Sequence, residues 1–219
     1  MSLARVRIAV AQLNLTVGDL QNNSEKIFQA ACQANEKGAK ILLTPELSLT
    51  SYPPEDLLLR PSFLKQADKT LLQLARRLEK LDIHVVVGHP APREGNLYNS
   101  ASVLYQGGVA GVYRKWNLPN REVFDEERYF TPDTRPMVLE LHGIRFGVNI
   151  CEDTWYPHAP AAAAKAGAQV LLVPNASPYH MGKHTIRHSV VAQRVAETGM
   201  AVVYANLVGG QDELVFDGA

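Results

Sequence analysis

Short apolar runs alternate along the chain with segments whose apolar residues recur every three or four positions, the mark of strands interleaved with amphipathic helices. The run "VRIAVAQL" (6–13) predicts a buried strand. Residues 22–37 predict a helix with Ile27, Ala31 and Ala34 on one face, Asn22 or Asn23 as N-cap and Gly38 as its stop. The strand "KILLTP" follows. From Pro61 to Leu81, Leu64, Ala67, Leu71, Leu74, Ala75 and Leu78 form one helical stripe. "IHVVVG" (83–88) predicts a strand, and 96–115 a hairpin turning at Gly107-Gly108. Residues 116–136, rich in charge and proline, predict a long loop, a common carrier of function. Strands at 137–141 and 144–150, a helix near 156–166, the strand "QVLLVP", a helix near 182–198 and the strand "MAVVYAN" complete the pattern. Helices between strands, together with hairpins, predict an α/β fold with mixed sheets.

One internal echo adds to this. "GAKILLTPELS" (38–48) aligns with "GAQVLLVPNAS" (167–177), placing Glu46 and Asn175 at equivalent strand ends. Ligands bind outside the carboxyl ends of such strands, and Cys151 also follows a strand.

Composition narrows the function classes. The 219 residues are 46% apolar with formal net charge zero, enough for one sizeable core and without the basic excess of a nucleic-acid or anionic-membrane binder. No apolar run approaches the ~20 residues of a membrane span, and the N-terminus lacks a signal-peptide segment. Met1-Ser2-Leu3 is consistent with a cloning remnant. Two distant cysteines make no disulfide framework, so a reducing cytoplasm is the expected location.

The candidate chemistry centres on "RFGVNICEDTWYP" (145–157). Cys151 ends an apolar strand, and Asp153 or Thr154 can cap the helix that follows, with Pro157 in its first turn. A nucleophile at such an elbow lies near backbone N–H groups able to hold an oxyanion. Yet Glu152 and Asp153 beside it oppose thiolate formation. The activating base is open at this level: one of seven histidines, or a Lys–Glu solution using Lys115 and Glu46. Cys32, mid-helix, reads as packing. His180, His184 and His188 have i, i+4 spacing, but a solvated face or partner contact outweighs zinc, and no metal is expected. Trp116 and Trp155 flank the candidates and either pack or wall a pocket.

Five stretches, "AQLNLTVGDLQNN", "LLTPELSLTSYPPEDLLLRPSF", "YRKWNLPNREVFDEERYF", "GVNICEDTW" and "NASPYHMGKHTIR", carry a resemblance that spans essentially the whole chain. It resembles the nitrilase (carbon–nitrogen hydrolase) superfamily and, within it, the glutaminase domain of glutamine-dependent NAD synthetases. The resemblance implies a four-layer αββα sandwich over 1–219, truncated at its C-terminal end. It also implies a Glu46–Lys115–Cys151 triad, with Glu126 rather than Glu127 as a second glutamate orienting Lys115 and water. In this reading Lys115 draws the Cys151 thiol toward thiolate. Charges ~4 Å apart interact by about 4 kcal/mol at an effective dielectric near 20, roughly three pKa units. L-Glutamine is the implied substrate, with Glu152 on its α-ammonium, Ser177 and Lys183 on its α-carboxylate, and Tyr52 and Phe124 lining the pocket.

Two departures stand out. The family loop reads "LPNY" where this chain has "LPNR", which puts Arg121 at the pocket and raises a question about how the site closes. No S-G-G-x-D-S pyrophosphate loop occurs, and "VGGQDE" (208–213) is a superficial echo. No G-x-x-x-x-G-K-[ST] or G-x-G-x-x-G occurs either. ATP, magnesium and deamido-NAD are therefore expected only in a separate synthetase domain, with no cofactor in this one. "DELVFDG" reads as the start of a further strand or hairpin, as in a piece of a longer protein. The superfamily implies a homo-oligomer formed through helices of the sandwich. A stand-alone amidase or carbamoylase and a non-catalytic assembly module are the competing readings.

Overall fold

The computed structural model describes residues 5–218; the reading of Met1-Ser2-Leu3 falls outside them. Strands β1 (Ile8–Val10), β2 (Ile41–Leu43), β3 (His84–Arg93), β4 (Asn96–Tyr105) and β5 (Gly108–Arg114) form one sheet in that order, parallel across β1–β2–β3 and antiparallel beyond. A second sheet holds β6 (Val138–Leu141), β7 (Ile144–Val148), β8 (Val170–Asn175) and β9 (Ala201–Asn206), with β6 antiparallel to β7 and the rest parallel. β10 (Val208–Gln211) and β11 (Leu214–Asp217) make a separate hairpin, where "DELVFDG" predicted one. The helices are α1 (Leu20–Glu36), α2 (Pro61–Arg77), α3 (His158–Lys165) and α4 (Lys183–Thr198).

Side-chain alternation stacks these elements in four layers. Leu42, Val85 and Val87 pack against Ile27, Ala31, Leu71 and Leu74 of α1 and α2. Ile41, Leu43 and Val86 point the other way, onto Phe146, Val148, Leu172 and Ala205 of the second sheet. Leu171 and Val173 then meet Ala163 of α3. The order is α–β–β–α, as the resemblance implied, with mixed sheets. The echoing segments are β2 and β8, each flanked on both sides by parallel partners.

Several local expectations need correction. Asp19, not Asn22 or Asn23, caps α1, accepting the Asn22 N–H at 3.2 Å. Asn23 is instead buried, donating to the Thr16 and Leu49 carbonyls. α2 stops at Arg77, short of Leu81. Strand β3 runs past Gly88 through Pro90 and Pro92 to Arg93. The carbonyls of Val86 and Gly88 face away from β4, toward Thr44 and Leu49. By the strand's two-residue period, Pro90 and Pro92 also turn their missing N–H to that side, where β2 has already ended. The β4–β5 turn sits at Gln106-Gly107, both with positive φ, one residue before the expected pair. Cys32 is half-buried on α1 rather than in the core. No helix among the described residues is long and apolar enough to cross a membrane.

Candidate active site

Lys115 follows β5 on the face that carries Tyr113 into the layer between the sheets, so its side chain enters that layer too. It is fully buried, and its Nζ donates to Glu46 Oε1 at 2.6 Å and to Glu126 Oε1 and Oε2 at 2.8 and 3.0 Å. Burial alone would lower the ammonium's pKa, but Glu126, Glu46 and Cys151 overcome it and hold Lys115 charged, well above its ordinary value.

Glu46 reaches this point on a loop that crosses β3 at close range. A Cβ at Gly88 would stand 2.3 Å from the Leu47 nitrogen, so only glycine admits the crossing. Ser48 Oγ accepts the Gly88 N–H and pairs with Thr44 Oγ1 at 2.7 Å, fixing the loop from inside. The second Glu46 oxygen accepts the Ala176 N–H at 3.1 Å, and the Glu46 N–H donates to the Asn175 carbonyl at 3.3 Å. The two echoing strand ends thus touch directly.

Glu126 lies in a short 3₁₀ turn, Glu126–Arg128, inside the long loop. It is buried against Lys115, whereas its neighbour Glu127 is exposed. Tyr52 donates its hydroxyl to Glu126 Oε1 at 3.0 Å, so it positions the second glutamate. Phe124 packs 6.3 Å from the Tyr52 ring. Desolvation, with Glu46 adding repulsion, raises the Glu126 pKa against the pull of Lys115.

Cys151 opens a 3₁₀ turn, Cys151–Trp155, with φ of 42°, a left-handed conformation unusual outside glycine. The turn is held by Asp153. That buried carboxylate accepts N–H groups of Ile150, Trp116 and Asn117 at 2.9, 3.1 and 2.7 Å, and the Tyr113 hydroxyl at 2.8 Å. Thr154 Oγ1 donates to the Cys151 carbonyl at 2.8 Å. Asp153 and Thr154 therefore hold the turn that Cys151 itself opens; α3, expected to use one of them, has Pro157 at its N-cap instead.

At the thiol the pull of Lys115 is present but is not the largest influence. Burial raises the Cys151 pKa well above its ordinary value, with Glu46 and Glu152 adding to the rise while Lys115 and the Ala176 N–H oppose it. The Lys115 ammonium, which also serves two carboxylates, pulls the thiol toward thiolate but is outweighed by burial.

Beside the thiol, Glu152 is nearly buried and pairs with Arg121 Nη2 at 2.8 Å. Desolvation raises the Glu152 pKa, with Arg121 the largest opposing influence. Lys183 lies over the Trp155 ring, 4.6 Å from its centroid, and is influenced by Cys151 and Glu152. Ser177 Oγ accepts from Arg187 Nε at 3.1 Å. Arg187 is buried, also holds the Ser177 and Pro178 carbonyls, and pairs with Asp217 of β11 at 2.8 Å. A cavity of about 640 Å³ opens beside Glu152, lined by Trp116, Arg121, Phe130 and Tyr156 among others. Trp116 thus walls a pocket, and Trp155 carries Lys183.

Two polar residues in this network escaped the sequence reading. Asn99 Nδ2 bridges Glu46 Oε1 at 2.8 Å and Glu126 Oε2 at 3.3 Å. Its signal was phase: Asn99 is two residues before Ala101, which faces the layer between the sheets. Arg187 sits one helical turn beyond Lys183 and had no comparable sign. His180 precedes α4, His184 and His188 are exposed, and no group of three metal-type ligands occurs among the described residues.

Comparison with known proteins fits this arrangement. Residues 7–218 match the carbon–nitrogen hydrolase family model. The chain belongs to the carbon–nitrogen hydrolase family. Among relatives of this hydrolase, the glutamine-dependent NAD(+) synthetase of Xanthomonas campestris pv. campestris is 46% identical over 98% of this chain but only 39% of its own length. That of Aquifex aeolicus is 45% identical over 97% of this chain and 37% of its own. The chain therefore spans about two fifths of these relatives. The glutamine-dependent NAD+ synthetase structure from Acinetobacter baumannii superposes with a TM-score of 0.90 at 40% identity, covering 96% of this chain and 40% of that one. An amidase from Nesterenkonia sp. AN1 superposes with a TM-score of 0.86 at 31% identity, covering 98% and 83%.

Proposed function

We propose that this hydrolase domain releases ammonia from L-glutamine through a Cys151 thioester and passes it to a synthetase domain. There ATP, magnesium and deamido-NAD would be used to form NAD, in the cytoplasm. The observation that carries the reading is the buried Glu46–Lys115–Glu126 cluster beside Cys151, with Glu152 adjoining at the mouth of the cavity.

The chemistry follows from the charges. Glu46 takes the thiol proton as Sγ attacks the side-chain amide carbon. The developing oxyanion is held by the Lys115 ammonium and the Glu152 backbone N–H. The proton on Glu46 passes to the leaving nitrogen, and ammonia departs. Glu46 then deprotonates a water that Glu126 helps to orient, and this water hydrolyses the thioester to glutamate. Lys115 stays protonated throughout, consistent with its raised pKa. Glu152 suits an α-ammonium, Ser177 and Lys183 suit an α-carboxylate, and Tyr52 and Phe124 back the pocket.

The amidase shares this fold as a superfamily relative, and a stand-alone amidase or carbamoylase is the second reading. Ammonia release from L-glutamine and from N-carbamoyl amino acids separates the two. The expected result is release from glutamine, lost in Cys151→Ala and reduced at least ~100-fold in Glu46→Gln, the scale of losing a general base. Faster turnover of carbamoyl substrates would establish the second reading. A folded protein that releases nothing would be an assembly module.

A further inference from the structure

The Arg121–Glu152 pair bears on how the substrate enters. Glu152 is the carboxylate beside the nucleophile, with its side chain only 9% exposed, and Arg121 approaches it with a side chain 56% exposed. Both line the cavity, and the exposed guanidinium stands on the solvent side of the buried carboxylate. The remaining charged groups that influence Glu152 are Lys115, Glu126 and Lys183, and the two lysines add positive charge at the same place. A second cation drawn to Glu152 therefore meets Arg121 first, and like charges at one carboxylate repel.

Resting on the glutamine reading above, we propose that Arg121 is a resident occupant of the ammonium subsite, displaced by the substrate's α-ammonium on binding. Position 121 then sets the affinity for α-amino amides and leaves the chemistry at Cys151 alone. The exposure of the arginine lets it leave without unpacking anything. Its carbonyl accepts the Phe124 N–H at 3.0 Å, so departure of the side chain leaves the turn that carries Phe124 intact. An amide with the same chain but no α-ammonium has no reason to displace it.

Calorimetric titration in a Cys151→Ala background tests this without turnover, using L-glutamine and its analogue lacking the amino group, 4-carbamoylbutanoate. Adding Arg121→Gln is expected to tighten glutamine binding about fivefold, the scale of one half-exposed ion pair. The analogue should change less than twofold, well inside that scale. Arg121→Lys keeps a displaceable cation and should leave glutamine affinity near that of the arginine form. Weaker glutamine binding in Arg121→Gln, or equal shifts for both ligands, overturns the proposal by making Arg121 a direct contact or a loop support. If glutamine binds in neither background, the glutamine reading itself fails and takes this inference with it. If it binds equally in both, only the role of Arg121 fails.

Discussion

At the scale of single residues, the site is built around one buried cation. Lys115 makes three hydrogen bonds to two carboxylates, and Asn99 and Tyr52 satisfy those carboxylates further. Removing Lys115 leaves Glu46 and Glu126 buried without a counter-charge, so Lys115→Met should cost about 3–5 kcal/mol at neutral pH, the range for breaking a buried pair. The sign follows from the shifts. Lys115 is raised, so its contribution is fully present below its unfolded pKa near 10.5 and fades as pH climbs past it. Glu126 is also raised, so protonating it toward pH 4.5 should relieve part of the defect in the variant. Urea unfolding of both proteins at pH 7.5 and pH 5 measures this; a gap as wide at pH 5 as at pH 7.5 would contradict it.

Elements decide where these residues end up. Strand periodicity places Lys115 and Asn99 between the sheets, and both could be phased from their neighbours Tyr113 and Ala101. The Glu46 loop was harder to read, because its path depends on a glycine in another strand. Gly88→Ala would push a methyl into the Leu47 backbone, moving Glu46 from Lys115 while leaving the strand ladder largely in place. Glutamine turnover should fall by at least ~100-fold, as for loss of the base, while the thermal midpoint moves by only a few degrees. A variant with near-normal turnover would show that the crossing is not what seats Glu46. The elbow at Cys151 was legible as a strand running into a polar turn. Which element Asp153 capped was not, since its partners at Trp116 and Asn117 are remote in sequence.

At the scale of the whole molecule, buried titratable groups outside the site shape stability. His89 lies in β3, bonded through Nε2 to Ser102 at 2.7 Å and through Nδ1 to the Pro90 carbonyl. Burial lowers its pKa to about 4, with the Pro90 bond opposing and Arg114 adding to the fall. A depressed histidine contributes stability that is present above its unfolded pKa near 6.5 and is lost as pH falls through about 4. The full span corresponds to about 3 kcal/mol. His89→Gln should remove that component, so its stability should fall less steeply than the wild type between pH 6.5 and 4. Parallel denaturation curves would contradict it.

Sequence by itself determined the α/β class with mixed sheets and marked Cys151, Lys115 and Glu46 as candidates at strand ends, because period and residue type are local properties. Resemblance extended this to the sandwich and to a family now established by the match over residues 7–218. Tertiary structure decided the rest. It showed that β3 outruns its prolines, that Asp153 braces the turn at Cys151, and that Arg121 rests on Glu152. It also raised the pKa of the sulfur: burial is the largest cause, and burial is set by chain segments brought together only on folding.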